Sequence, residues 1–363
     1  MKTDPSSHGE GRAHLFVLML TLALVGLVGT TVGRVQAQGK WSPEVLKIID
    51  GAKKEGKVNF YGVNLSPQDI KKLEQGLNKM FGTSLVLEHE PSRHFGTKAA
   101  TMVSEAKAGL PSPNDAVNMS AYGTPLLVRQ GLLRDLASLP KMFPDIKANW
   151  IINENQAMTF WHGVYGPVYN TNLVPKDKVP KKWEDLLSSA WKDKMVTATG
   201  LDEWTALAET WGVERVTEFL GKLKGQNVAI QRGATAVLQR VAAGEFPLAA
   251  VQIYGTMKRI QGKGAPLEMA FVEPVPMSAT YLLLPSNSAH PNAGLLFAAY
   301  IMSPSGHAVY EQVSGLSSAF VETSSLSKVL KGKKLALMSP EWALKGEELG
   351  LRWSKVLGIP ASE

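Results

Sequence analysis

Short apolar runs alternate with capped amphipathic helices along this chain, and that alternation restricts the fold more than any other feature. Ser42-Pro43-Glu44 starts a helix: a capping hydroxyl is followed by a proline whose missing N–H costs nothing there. Leu46, Ile49 and Ala52 share one face, and Gly56 supplies the stop. Residues 58–61 read as a short strand. Ser66-Pro67-Gln68-Asp69 starts a second helix with the apolar stripe Ile70, Leu73, Leu77 and Met80. A strand at 84–88, a helix at 97–108, a strand at 115–119 and a helix at 124–130 closed near Gly131 follow. The later chain repeats the style. It has a helix at 183–187, a strand at 195–199, a helix from Trp204, a β-rich segment at 246–252, an apolar run at 277–285 and a helix at 291–302. From about Leu326 the chain reads as helical and more charged. The pattern predicts a parallel α/β sheet.

The first residues read as an address. Basic Lys2 and Arg12 precede an apolar run at 15–32, and Val35-Gln36-Ala37 offers small residues at the minus-three and minus-one positions of a signal-peptidase site after Ala37. A retained anchor is the competing reading, since a span needs about 20 residues. Gly26, Gly29 and Gly33 favour cleavage. Removing residues 1–37 takes three basic and two acidic residues, so the net charge of +7 becomes +6.

That charge does not mark a nucleic-acid binder. The basic residues lie in short clusters, most with acids close by, without interleaved aromatics or a long basic helix face. The absence of cysteine removes disulfides, thiolate metal sites, cysteine nucleophiles and a lipid-modified N-terminal cysteine. Gly51-Ala52-Lys53-Lys54-Glu55-Gly56-Lys57-Val58 nearly matches a phosphate-binding P-loop. It lacks the final Ser/Thr, and a helix precedes it where a P-loop needs a strand. No nucleophile elbow, H-E-x-x-H or EF-hand pattern is present, and no metal or cofactor is expected.

Several stretches resemble bacterial extracellular solute-binding proteins of ABC importers, in the group that includes ferric-iron-binding periplasmic proteins. They are Glu55-Gly56-Lys57-Val58-Asn59-Phe60-Tyr61-Gly62, the run 105–115, Gly166-Pro167-Val168-Tyr169-Asn170-Thr171, Pro180-Lys181-Lys182-Trp183-Glu184-Asp185-Leu186-Leu187 with Trp191-Lys192-Asp193-Lys194, Gly264-Ala265-Pro266-Leu267-Glu268 and the run 299–306. Their order and spacing cover nearly the whole chain after residue 37. The resemblance implies a type 2 periplasmic-binding-protein fold: two α/β lobes, a two-strand hinge and a ligand cleft between the lobes. The first lobe would take 38–160 and 272–320, the second 161–271 and 321–363. Residues 161–170 would form one hinge crossing, where Gly163, Gly166 and Pro167 suit a bend or an ordinary loop.

In such a cleft, helix N-termini at strand ends present free N–H groups. Tyr61 and Asn64, Ser92 and Arg93, Ser120 and Tyr122, and Thr199, Gly200 and Leu201 occupy such turns. The Thr-Gly turn can hold a carboxylate, phosphate or phosphonate oxygen, and Arg93 can clamp the same group. Each Ser or Thr is equally readable as a helix cap, and Arg93 as a solvated surface residue. Trp161, Tyr165 and Tyr254 could pack on the solute's carbon skeleton or simply in the core, as could Trp204. Gln252 and Tyr254 follow the strand at 248–251. In ferric-binding relatives adjacent tyrosines occupy this place; here the pair is Tyr254-Gly255. The histidine and glutamate of those relatives are also missing from the turns after the first and third strands, so too few hard anionic oxygens remain for ferric iron.

The expected function is capture of an organic solute with an anionic group by lobe closure, and delivery to an ABC permease and its ATPase. The protein is expected to be a periplasmic monomer without catalytic activity. The alternatives are a ferric-iron carrier and a sensor subunit for a membrane kinase.

Overall fold

The computed structural model describes residues 41–92, 95–199 and 202–359. The chain divides into two units, Met1–Lys47 and Ile48–Glu363. The first unit's described part opens the helix Pro43–Glu55, where Ser42 Oγ accepts the Val45 N–H at 3.3 Å. This helix stops at Gly56, whose φ of 75° suits glycine, and a strand follows. The near-match to a P-loop is therefore a helix stop. The apolar run at 15–32 and the expected cleavage point after Ala37 lie outside the described residues. No described helix is long and apolar enough to cross a membrane.

The second unit is built on one large sheet. Its described strands in chain order begin with β1 (Lys57–Gly62), β2 (Val86–Pro91), β3 (Ala116–Ser120) and β4 (Ile151–Ile152). Then come β5 (Ala157–Asn170), β6 (Met195–Ala198), β7 (Ala229–Gln231) and β8 (Leu248–Ile253). The last are β9 (Leu267–Met269), β10 (Val275–Leu283) and β11 (Leu335–Leu337). Across the sheet the order is β2-β1-β3-β10-β5-β8-β6-β7, with β11 beside β10 and both β4 and β9 beside β5.

The parallel pairing expected from the alternation occurs at both ends of this order, in β2-β1-β3 and in β8-β6-β7. The middle differs: β10 runs antiparallel to β3 and β5, and β5 antiparallel to β8. Strand β5 has 14 residues, about 46 Å at ordinary strand rise. That length lets it pair with β10 between Met158 and Val164, and with β8 and β9 over 165–170. Gly163, Gly166 and Pro167, which suit a bend by sequence, sit inside this continuous strand. The pairing with β8 shifts register between Gly166 and Val168, where Pro167 has no N–H to offer the ladder. A Cβ on Gly166 would lie 2.7 Å from the Ala270 carbonyl oxygen, so only glycine allows the two backbones this close.

Helices cover the sheet as the sequence dictates. Ser66 Oγ accepts from the Asp69 N–H, and Gly82 ends the helix Pro67–Phe81 in the left-handed region. The helix Pro291–Met302 is buried at every residue from Ala293 on, which explains its lack of a polar face. Its Phe297 packs on Phe60 of β1, with ring centroids 4.8 Å apart. In the β8-β6-β7 part, Trp183, Trp204, Trp211 and Phe219 form an aromatic core, with the first two rings 5.6 Å apart. The Trp183–Leu187 turn, part of the most specific resemblance motif, is thus a core anchor: Trp183 Nε1 also donates to the Pro274 carbonyl at 3.2 Å. Past residue 326 the charged tail contains β11, a strand its sequence does not announce, and the helix Gly346–Leu357. The latter is tied to the helix Val213–Lys224 through Trp353 Nε1 donating to Thr217 Oγ1 at 3.0 Å.

Candidate functional site

Strands β8, β6 and β7 are parallel, so their C-terminal ends lie along one edge, and each is followed by a helix. Thr199 follows β6 and precedes the helix Asp202–Trp211. Gly233, at φ 86°, follows β7 and caps the helix Ala234–Ala242. Gln252 lies at the end of β8, ahead of the helix Tyr254–Gln261. A cavity of about 260 Å³ opens there, lined by Tyr165, Thr199, Glu203, Gly233, Ala234 and Gln252 together with apolar Ala198, Val251 and Ile253. The place is the one α/β sheets favour for ligands, because helix N–H groups without intrahelical partners converge at strand ends.

Gln252 distinguishes this cavity. It is 2% exposed, and neither its Oε1 nor its Nε2 has a hydrogen-bond partner among the described residues. A buried primary amide left unsatisfied costs about 1–3 kcal/mol. Such a cost is tolerated where a ligand or ordered water completes the bonds. Tyr165 projects from β5 into the same cavity, its hydroxyl 3.0 Å from Ser278 Oγ on β10. Glu203, 6% exposed, lines the cavity from the first turn of its helix.

Three of the sequence candidates therefore meet: Tyr165, Thr199 and Gln252. The others lie elsewhere. Tyr61 is in the core and borders a separate cavity of about 620 Å³ with Glu90, Thr97 and Lys98. There Lys98 Nζ sits 4.7 Å from the Tyr61 ring centroid and 2.9 Å from Glu90 Oε2. Asn64 is exposed. Ser92 gives its backbone N–H to the Gly62 carbonyl at 2.6 Å, and the Ser120 carbonyl accepts from Thr124 Oγ1 at 2.9 Å. Tyr122 packs against Gly346, where a Cβ would meet its hydroxyl at 2.4 Å. Trp161 Nε1 donates to Asn118 Oδ1 at 3.0 Å. Trp204 is a core residue.

Tyr254 turns into the core, with its ring 5.5 Å from that of Phe271. Burial pushes its phenol pKa up and the Glu311 charge adds to this, against a lowering contribution from Ser325. Arg93, Gly200 and Leu201 lie outside the described residues.

The sequence reading missed Glu203, Gly233 and Ala234. The last two obey the same strand-then-helix rule that singles out Thr199. Their strand β7 has three residues, too few to announce itself by alternation. Among the described residues, no group of three or more His, Asp or Glu is placed to hold a metal ion.

Residues 73–336 match the family of bacterial extracellular solute-binding proteins. Among curated proteins the sequence has no match. Several solved structures share the fold. Iron-bound HitA from Pseudomonas aeruginosa superposes with a TM-score of 0.63 at 16% identity, over 84% of this chain and 99% of that one. The iron and citrate complex of the Trichodesmium protein (IdiA, FutA) gives 0.66 at 19%, over 84% and 100%. The spermidine/putrescine ABC transporter substrate-binding protein PotD from Streptococcus pneumoniae gives 0.60 at 15%, over 83% and 99%. The first two hold iron and the third is named for polyamines, so what they share with this chain is the type 2 periplasmic-binding architecture.

Proposed function

The chain belongs to the bacterial extracellular solute-binding protein family, and from that premise we propose that it captures a small organic solute in the cavity at the ends of β6, β7 and β8. Proteins of this family are the solute-binding components of ABC transporters and work with a permease and an ATPase. The carrying observation is Gln252: its amide is buried, has no partner among the described residues, and lies beside helix starts able to hold an anionic oxygen.

Capture would proceed by closure of two lobes, 38–160 with 272–320 and 161–271 with 321–363. The topology supports this reading, because β5 and β10 join two parallel strand sets, each with its own helices. A solute that bridges both lobes stabilises the closed state by its differential affinity for it. No bond is broken in such a cycle, so the protein acts as a receptor and not as an enzyme. The segment 1–37 would direct export to the periplasm and be removed after Ala37, leaving a monomer without a lipid tether.

The test is a melting-temperature screen of the purified protein against small carboxylates, phosphonates, phosphates, amino acids, polyamines and ferric citrate. A bound solute at 100 times its Kd adds about 2.7 kcal/mol to stability and raises the transition by several degrees. A panel with no shift rejects the reading. A shift with ferric citrate alone favours an iron carrier instead.

A further inference from the structure

The helix Ala234–Ala242 starts at Gly233 with no side chain capping its first N–H groups. That start borders the cavity at the ends of β6, β7 and β8, and uncapped N–H groups favour an anionic oxygen. A bare anion answers only part of the cavity. Gln252, 2% exposed, has neither its Oε1 nor its Nε2 bonded among the described residues. Whichever way the amide is turned, one end offers hydrogens and the other needs one. The ligand must bring a donor and an acceptor to the amide, and a further acceptor to the helix start.

Charge decides which donor. No Lys or Arg is among the described lining residues, so a dianion such as hydrogen phosphate or a dicarboxylate would be buried without a lining cation to pair with. An ammonium fares no better. Glu203, the acid among those residues, is already engaged in an interaction within the protein, so it is not at hand to neutralise a second buried charge. A hydroxyl supplies the donor hydrogen and brings no charge. The amide carries its oxygen and nitrogen on one carbon, so the ligand's donor and acceptor must also lie side by side. A hydroxyl on the carbon next to a carboxylate has that spacing. Size and polarity agree: about 260 Å³, with apolar Ala198, Val251 and Ile253 in the lining, suits a short carbon chain and is below the roughly 300–1,000 Å³ of pockets for drug-sized ligands.

We propose that this cavity binds a small 2-hydroxycarboxylate. Its hydroxyl donates to Gln252 Oε1. One carboxylate oxygen accepts from Gln252 Nε2, and the other accepts from Thr199 Oγ1 and the N–H groups that open the helix Ala234–Ala242. This rests on the reading of the cavity as the solute site and adds the class of solute.

The experiment is calorimetric titration of the purified protein with matched probes. Glycolate, both enantiomers of lactate and 2-hydroxybutanoate are compared with acetate, propanoate and butanoate, and with 3-hydroxybutanoate, alanine, lactamide and inorganic phosphate. At least one 2-hydroxy acid should bind tenfold or more tightly than its partner without the hydroxyl, and more tightly than every other probe. In Gln252→Leu that preference for the hydroxyl should vanish, while the unliganded protein melts no lower than wild type. Thr199→Val should weaken the 2-hydroxy acid and its hydroxyl-free partner by the same factor. Equal binding of the hydroxyl-free acid, preference for alanine, lactamide, 3-hydroxybutanoate or phosphate, or no binding by any 2-hydroxy acid overturns the proposal. Another of these probes that binds wild type and is weakened in Gln252→Leu refutes the 2-hydroxy acid but keeps the cavity as the solute site. A 2-hydroxy acid that binds both variants as tightly and as selectively as wild type refutes the site itself.

Discussion

Ala319 donates its backbone N–H to Nδ1 of His162 at 3.1 Å. His162 is buried on β5, and its role as acceptor requires a neutral ring at that nitrogen. One residue earlier, Ser318 donates its N–H to Nε2 of buried His307 at 2.9 Å. The segment after the helix Pro304–Ser314 is thus held by two neutral imidazoles. Burial lowers the pKa of His162 to about 3, with a further lowering from His307. Burial lowers that of His307 to about 4, against a raising contribution from Glu311.

These shifts fix a pH dependence. In the unfolded chain both rings take up a proton near pH 6.5, while in the folded chain they resist until about pH 3 to 4. Between these limits the unfolded state binds more protons, so stability is complete above about pH 6.5 and falls as pH drops toward 4. Each ring contributes about 1.4 kcal/mol per pH unit inside its window. Urea unfolding between pH 7.5 and 5 should show the midpoint falling steadily with acid. A flat profile in that range would contradict the burial of both rings.

Gln252→Leu separates binding from stability. Leucine is close in size and removes two buried polar atoms that lack partners among the described residues. The unliganded protein should be as stable as wild type or more so, while solute affinity drops by about 1–3 kcal/mol. Parallel calorimetry and thermal melts check this; retained affinity would show that the amide does not touch solute.

Trp183→Ala should be among the most damaging substitutions. The indole is buried, donates to the Pro274 carbonyl and meets Trp204, Trp211 and Phe219. A loss of about 3–5 kcal/mol is expected, measurable by denaturant unfolding.

Gly166→Ala tests the close approach of β5 to residue 270. Its new Cβ must move from 2.7 Å off a backbone oxygen, which only a strand shift relieves. About 1–3 kcal/mol of stability should be lost. A variant as stable as wild type would mean that the strands separate there at little cost.

Tyr254→Phe should leave solute affinity unchanged, because the ring packs against Phe271 and is not among the described residues lining the cavity. Affinity lost in this variant, measured by titration with any solute found in the screen, would return Tyr254 to the site.

Sequence alone determined the strand–helix alternation, the caps at Ser42 and Ser66, the stop at Gly56 and the helix at 291–302. These are local effects, written in residues three or four apart or in a run of one polarity. It also supplied the rule that places Thr199 at the cavity at the strand ends. Tertiary structure decided the rest. The antiparallel middle of the sheet depends on β10 reaching between β3 and β5, pairings of residues more than a hundred positions apart. Gln252 and Tyr254 are equal candidates in the sequence, two residues apart. The strand ends between them, so one side chain keeps the strand's direction into the cavity and the other turns with the new helix into the core. Periodicity cannot resolve such a change of direction, because the side-chain vector at an element boundary is set by what packs there.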